Sequence, residues 1–153
     1  MKKKRPSEGV ISNKRARFDY ELDDPITVGI ALNGRETKSL RLGLGQLKGA
    51  YVTVKDNELW LINAHIPGNR AIPIEEPEVT QARKLLAKRR EIDELIERKN
   101  NGKTILPLEL LTKGRYIKLR IASGRGKRQY DKRASIKKRD DSRNTARELK
   151  GRY

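Results

Sequence analysis

The sequence contains no cysteine, a single histidine and only a few aromatic residues among its 153 residues. The absence of cysteine excludes disulfide bonds and thiolate metal sites. The one histidine, His65, is too little for a histidine-based metal cluster, and no motif links it to a nucleophile. No glycine-rich phosphate-binding motif precedes a predicted helix. We therefore expect a protein that is not an enzyme and that needs no cofactor or metal.

Long hydrophobic runs are also missing from the chain. No apolar stretch approaches the ~18 residues that a membrane-spanning helix requires. The N-terminal residues are basic but lack the apolar segment of a secretory signal. These absences predict a cytoplasmic protein without a membrane partner.

Positive charge is abundant and unevenly distributed. The net charge is +17, and residues 2–17 hold seven basic residues against one acid. Residues 123–153 hold twelve basic residues against four acids, so the middle of the chain is nearly balanced. This asymmetry is typical of a folded body that positions basic arms on a polyanion. We predict a flexible basic leader at residues 1–12, a β-barrel RNA-binding domain at residues 13–123 and a basic C-terminal tail at residues 124–153.

The densest basic segment, residues 125–139, holds eight Lys or Arg residues and one acid. Such a segment has too little apolar surface to offset the entropy of ordering, so we expect it to be disordered alone. Nucleic acid or another polyanion is the favoured partner, and a solvated surface tail is the alternative. Tyr130 is the single aromatic in this segment, and stacking on a base is the natural use of its ring.

Local patterns predict strands in the first half of the chain. Alternation of apolar and acidic residues indicates a half-buried strand at residues 18–22. The β-branched and extended stretch that follows predicts one long bent strand over residues 26–42. Two β-rich runs, residues 51–55 and 58–62, flank Asp56-Asn57. Both linking residues tolerate the positive φ of a tight hairpin turn.

Apolar residues at helical spacing predict one long helix from Thr80, as its N-cap, to about Asn100. Two further strands are predicted at residues 104–111 and 115–122. About six short-linked antiparallel strands favour a small closed barrel, because closure removes exposed strand edges. The predicted fold class is therefore mainly β with helices.

Polar residues near residue 34 predict one RNA-binding edge of this barrel. Lys38 and Arg41, with Asn33 and Arg35, would contact phosphates there. Glu36 lies between these positive charges. Two interpretations of Glu36 stay open: an ion-pair partner of Lys38 or Arg41, or an acceptor for an RNA hydroxyl.

Four ordered blocks give the chain a resemblance to a known family. They are VGIALNGRETKSLR at residues 28–41, NKRA at residues 13–16, RKLL with REI between residues 83 and 92, and GKRQYDKR at residues 126–133. Together they are similar to the signature of the small protein B family, the bacterial SsrA-binding proteins. The similarity covers about residues 11–150.

The resemblance implies a fold, a function and partners. The fold would be an oligonucleotide-binding-like closed antiparallel β-barrel, with a tail that becomes helical on the ribosome. The protein would be a monomer that binds the tRNA-like domain of transfer-messenger RNA (SsrA). Elongation factor Tu and alanyl-tRNA synthetase would be indirect partners through the RNA. The complex would enter stalled ribosomes for trans-translation, with the tail in the empty decoding centre and mRNA channel.

The resemblance also implies two sets of site residues. The transfer-messenger RNA set is Asn13, Lys14, Arg15, Glu36, Lys38, Ser39, Arg41, Lys84, Leu85 and Leu86. The ribosomal decoding-centre set is Lys127, Arg128, Tyr130, Asp131, Lys132, Arg133, Lys137 and Lys138. A ribosomal structural protein, or a general RNA chaperone with the same barrel, remains the alternative function.

Overall fold

The computed structural model describes residues 9–128, 132–133, 136–141 and 143. Eight strands and four helices follow one another along the chain. In order they are β1 (Val10–Ser12), α1 (Lys14–Asp19), β2 (Tyr20–Leu22), β3 (Ile26–Ile30), α2 (Gly34–Arg41), β4 (Tyr51–Lys55), β5 (Glu58–Ile62), α3 (Glu76–Val79), β6 (Arg83–Leu86), α4 (Arg89–Asn100), β7 (Thr104–Leu111) and β8 (Lys118–Gly126).

Six of the strands close into an antiparallel barrel. Their order is β7-β4-β5-β6-β3-β8, and β8 pairs with β7 again to complete the ring. The short strands β1 and β2 add to the outside of this ring by pairing with β7 and β8. The predicted closed six-stranded barrel is confirmed, although its membership differs from the prediction. β6 belongs to the ring, whereas the strand expected at residues 18–22 is reduced to the flanking β2.

The barrel interior is filled by alternate residues of its strands. Leu59, Leu61, Leu85, Leu119 and Ile121 have no exposed surface. One face of α4 packs against the same core through two apolar residues, Ile92 and Leu95. Burial of each such side chain stabilises the fold by about 1.5–3 kcal/mol relative to leaving it in water.

A second, smaller apolar cluster fixes α1 on the outside of the barrel. Leu106, Leu108 and Ala122 form it with Ala16, and Tyr20 and Leu22 pack against them. A bulge between Pro107 and Glu109 interrupts the β7–β8 pairing beside this cluster. The helix is therefore held against β7 and β8 by apolar contact.

The hairpin and the last two strands agree closely with expectation. Asp56 and Asn57 have φ angles of 53° and 59°, as a tight turn between β4 and β5 requires. β7 has the predicted bounds. β8 begins at Lys118 and continues to Gly126, so it is shifted towards the C-terminus relative to the predicted strand.

The long bent strand predicted for residues 26–42 is wrong, because the chain turns into a helix at Gly34. The side chain of Asn33 accepts a hydrogen bond from the Glu36 amide, and the Glu36 carboxylate accepts one from the Asn33 amide. This capping box satisfies two amides at the helix start. It outweighs the extended pattern of the preceding residues.

The single helix predicted from Thr80 to Asn100 is also wrong in its first part. Residues 83–86 form β6, in which buried and exposed residues alternate. Only α4 is helical, and its C-cap Asn101 precedes Gly102 at a φ of 89°. Thr80 caps the C-terminal end of α3 instead.

The predicted domain boundaries also move at both ends. β1 lies within the leader predicted for residues 1–12, and it pairs with β7. Phe18 and Asp19 belong to α1, and the tail predicted from residue 124 begins with three residues of β8. The tail residues that the structure describes after residue 131 are helical. Within the described ranges, no helix has the length and apolarity needed to cross a membrane.

Candidate nucleic-acid interface

Asn13 sets the start of α1 and leaves the basic residues after it in solvent. Its side chain accepts a hydrogen bond from the Ala16 amide at 3.3 Å and donates one to the Pro107 carbonyl at 2.9 Å. Asn13 is only 5% exposed, so its side chain is occupied by the protein. Lys14 and Arg15 follow on the exposed side of the helix.

The C-terminal segment returns to the same helix. The Lys127 amide donates a hydrogen bond to the Asp19 carbonyl at 2.8 Å. The Lys132 Nζ lies 3.2 Å from the Asp19 Oδ1. The guanidinium of Arg139 lies 5.7 Å from the centre of the Phe18 ring. The Arg15 Nε lies 2.8 Å from the Asp19 Oδ2, so Arg15 and Lys132 flank one carboxylate. Residues of the two predicted sites therefore meet on one surface.

Asp19 is the acidic residue that joins α1 to the tail. Burial raises the pKa of its carboxyl, but the contact with Lys132 and the charge of Arg15 lower it more, so the net pKa lies below the usual value. A lowered folded-state pKa means that the carboxylate stabilises the folded form above the ordinary pKa of about 3.9. That contribution disappears as the pH falls through the lowered value.

We expect Lys132→Gln to raise the pKa of Asp19, because the substitution removes both a contact and a positive charge. The Asp19 carboxyl pKa can be measured by an NMR titration of the side chain. Arg133→Gln is the matched control, since Arg133 is exposed and not among the causes of the Asp19 shift. Equal Asp19 pKa values in the wild type and Lys132→Gln would show that the tail does not contact α1 in solution.

Glu36 and Arg83 form a buried ion pair between α2 and β6. Their side chains are 4% and 1% exposed. The Arg83 guanidinium also donates to the carbonyls of Ala64 at 2.9 Å and of Glu78 and Val79 at 3.0 Å. The partner of Glu36 is therefore Arg83, and the predicted ion pair with Lys38 or Arg41 is wrong.

Other members of α2 divide between interior and surface. The hydroxyl of Ser39 is buried and donates to the Pro67 carbonyl. Lys38 is exposed and lines a shallow concavity with Asn33, Gly34, Arg35 and Glu78. Among the residues that the structure describes, Lys38 is therefore the member of the predicted set on α2 whose exposed cation makes no hydrogen bond or ion pair.

The side chain of Arg41 binds the connection between β7 and β8. Its guanidinium donates to the carbonyls of Thr112 at 3.1 Å, Gly114 at 3.0 Å and Arg115 at 3.2 Å. Three of its five N–H groups are thus used within the protein. The main role of Arg41 within the protein is therefore to hold the β7–β8 connection in place.

The predicted residues of β6 point in opposite directions. Leu85 is fully buried in the core, whereas Leu86 is 55% exposed and Lys84 is also exposed. Lys84 pairs across the sheet with Trp60. The barrel therefore presents Lys84 and Leu86 on its outer face, and Leu85 serves the core.

The predicted ribosome-contacting residues lie after β8. Lys127 and Arg128 follow β8 directly, and Lys132, Arg133, Lys137 and Lys138 have helical backbone. Tyr130 and Asp131 lie outside the described residues. In the described part of the chain, no group of acids or histidines is arranged to hold a metal ion.

Sequence reasoning missed Arg83, Asp19 and the connection that Arg41 holds. Burial alternates from Arg83 to Leu86, but the sequence places two basic residues before two leucines, so no local pattern marked the inward arginine. The roles of Asp19 and Arg41 depend on partners distant in sequence, which no local pattern marks.

Comparisons with known proteins agree on one family. The SmpB protein family matches residues 10–151. An SsrA-binding protein of Synechococcus sp. (strain JA-3-3Ab) is 42% identical over 147 residues, which are 94% of each chain. One from Oleidesulfovibrio alaskensis is 43% identical over 152 residues, which are 97% of this chain and 98% of the relative. A solved structure described as "tmRNA-SmpB: a journey to the center of the bacterial ribosome" is similar with a TM-score of 0.66 and 32% identity, over 84% of this chain and 94% of that one. The chain therefore belongs to the SmpB protein family.

Proposed function

We propose that this protein binds transfer-messenger RNA and brings it to stalled ribosomes for trans-translation. The observation that carries the proposal is the convergence of α1 and the C-terminal segment. Arg15 from one end of the chain and Lys132 from the other lie on either side of the Asp19 carboxylate and form one cationic surface. Adjoining cations of this kind would let one protein hold the phosphates of two RNAs, transfer-messenger RNA on the α1 side and ribosomal RNA on the tail side. The names of the relatives, which refer to SsrA and to tmRNA on the ribosome, support this RNA as the ligand.

Within the predicted set, we assign RNA contact to the exposed members. Lys14, Arg15, Lys38, Lys84 and Leu86 present their side chains to solvent. The buried members position them: Asn13 caps α1, Glu36 and Ser39 anchor α2, and Leu85 fixes β6 in the core. A substitution at a buried position then reduces RNA binding by displacing the element that carries its exposed neighbour.

The basic C-terminal segment is assigned to the ribosome. Lys127, Arg128, Lys132 and Arg133 would bind phosphates of the decoding centre, and Lys137 and Lys138 would continue along the mRNA channel. Tyr130 and Asp131 complete this proposed set. The protein would act as a cytoplasmic monomer without catalytic chemistry, with elongation factor Tu and alanyl-tRNA synthetase reached through the RNA.

Competition binding separates this function from a ribosomal structural protein or a general RNA chaperone. Labelled tRNA-like domain of transfer-messenger RNA is bound to the full chain at fixed salt and challenged with a large excess of bulk tRNA. The proposal predicts that the labelled RNA stays bound, because shape-specific contacts add to the shared phosphate contacts. Displacement of the labelled RNA by the excess of bulk tRNA would favour the ribosomal structural protein or the chaperone.

A further inference from the structure

The connection between β7 and β8 contains the most exposed large hydrophobic residue among those described. Tyr116 is 69% exposed, although Leu110 and Leu119 in the strands on either side of it are buried in the barrel. The guanidinium of Arg115 lies 5.5 Å from the centre of the Tyr116 ring. A single exposed aromatic is unremarkable in itself. The cationic surroundings of Tyr116 and the support of its loop distinguish this ring from other exposed aromatics.

Its surroundings are cationic and concave. The segment from residue 113 to residue 118 contains three basic residues and no acid. A shallow depression runs beside the ring, lined by Leu111, Lys113, Gly114, Arg115, Tyr116 and Lys118. An aromatic face next to positive charge is the arrangement that single-stranded nucleic acid uses, with a base on the ring and phosphates on the cations.

Arg41 gives this connection its support. Gly114, with a φ of 99°, would make the loop adaptable. The three hydrogen bonds from the Arg41 guanidinium to loop carbonyls instead hold the loop against the end of α2. Lys38 lies three residues before Arg41 on the same helix, so both side chains share one face of α2. The loop is therefore placed beside an exposed lysine of the predicted RNA-binding set.

We infer that the β7–β8 loop is an additional RNA-binding element, in which Tyr116 stacks on an unpaired base and Arg115 and Lys118 hold its flanking phosphates. Arg41 is the positioning residue of this element. The inference rests on the proposed function and adds to it a contact near the end of β8 opposite the tail. The nine residues of β8 separate the two places by about 30 Å of strand.

The test compares loop variants in binding to the tRNA-like domain of transfer-messenger RNA. Tyr116→Ala is expected to raise the Kd about 5- to 150-fold, the equivalent of losing one stacked base. Tyr116→Phe is the matched control and should bind like the wild type. Both variants should melt at the wild-type temperature, because the ring is mostly in solvent.

Salt dependence separates the roles of the other residues. Arg115→Gln and Lys118→Gln should each reduce the slope of log affinity against log salt by about 0.7–0.9. Arg41→Lys keeps the charge but cannot reproduce the three hydrogen bonds to loop carbonyls. It should weaken binding and also lower that slope, because Arg115 and Lys118 lose their placement although no charge is removed. Unchanged affinity in Arg41→Lys would overturn the positioning role.

Two failures are distinguishable. If the wild type does not bind this RNA, the proposed function is wrong, and the loop inference falls with it. If the wild type binds and Tyr116→Ala binds equally well, only the loop inference is overturned. The loop inference is also overturned if the wild type binds polyglutamate, the loop variants lose that binding, and their RNA binding is unchanged. The loop would then serve an acidic protein partner.

Discussion

Glu36→Gln is expected to lower the free energy of unfolding by about 3–5 kcal/mol, because it leaves the buried Arg83 guanidinium without a counter-charge. Both side chains are almost fully removed from water, so solvent cannot replace the lost carboxylate. The loss is a large fraction of the roughly 5–15 kcal/mol that stabilises a typical domain. Chemical denaturation monitored by circular dichroism measures it.

The matched control for this substitution is Glu94→Gln. Glu94 also pairs with an arginine, Arg90 at 3.6 Å, but its side chain is 56% exposed. Exposed ion pairs contribute at most about 1 kcal/mol, so the control should be nearly as stable as the wild type. Equal stability of the two variants would contradict the structural role of Glu36. It would return that residue to the surface of the RNA site.

Truncation after Arg128 is expected to abolish peptide tagging on stalled ribosomes while leaving recognition of transfer-messenger RNA intact. The cut preserves β8, whose last residues pair with β2. It removes nine basic residues and four acids, so the affinity for any RNA should become less dependent on salt. Preference for transfer-messenger RNA over bulk tRNA should persist, because Lys14, Lys38 and Lys84 remain.

A full-length chain with residues 129–153 in scrambled order is the control for this truncation. It keeps composition and charge but loses the placement of Tyr130 and its neighbours. Tagging in a reconstituted translation system should be lost in both variants. Wild-type tagging by the scrambled chain would reduce the tail to a general polycation, and wild-type tagging by the truncated chain would contradict the division into two functional parts.

The sequence was a good guide wherever one local signal decided the structure. Asp56 and Asn57 predict a tight turn by themselves, and β7 is apolar at six of its eight positions. The sequence did not predict β6, because its four residues lie between stretches that favour helix. In the sequence, the buried Arg83 also resembles a surface charge. The Asn33–Glu36 capping box was recognisable in the sequence, but the β-branched residues before it suggested that the strand continued. Local propensity thus misled where a distant partner decided the outcome.

The candidate site was predictable as a set of cations but not as a surface. Composition and resemblance selected Lys14, Arg15, Lys38 and Lys132 without showing which of them lie together. Their placement depends on contacts far apart in the sequence, such as those of Asp19 with Lys132 and of Arg41 with the β7–β8 loop. Burial also separated residues of one motif, since Glu36 and Ser39 face inward while Lys38 faces solvent.

The identity of the RNA that the protein retains from a bacterial lysate tests the central claim most directly. The full chain is captured from the lysate without added salt, and its bound RNA is sequenced. The amount of each bound RNA is compared with the abundance of that RNA in the lysate. A variant with Lys14→Gln, Arg15→Gln and Lys38→Gln is the control, because these exposed cations are assigned to RNA contact. We predict that transfer-messenger RNA is the most enriched RNA with the wild type and loses its enrichment with the control. Enrichment of bulk tRNA and ribosomal RNA to the same degree as transfer-messenger RNA would contradict the account.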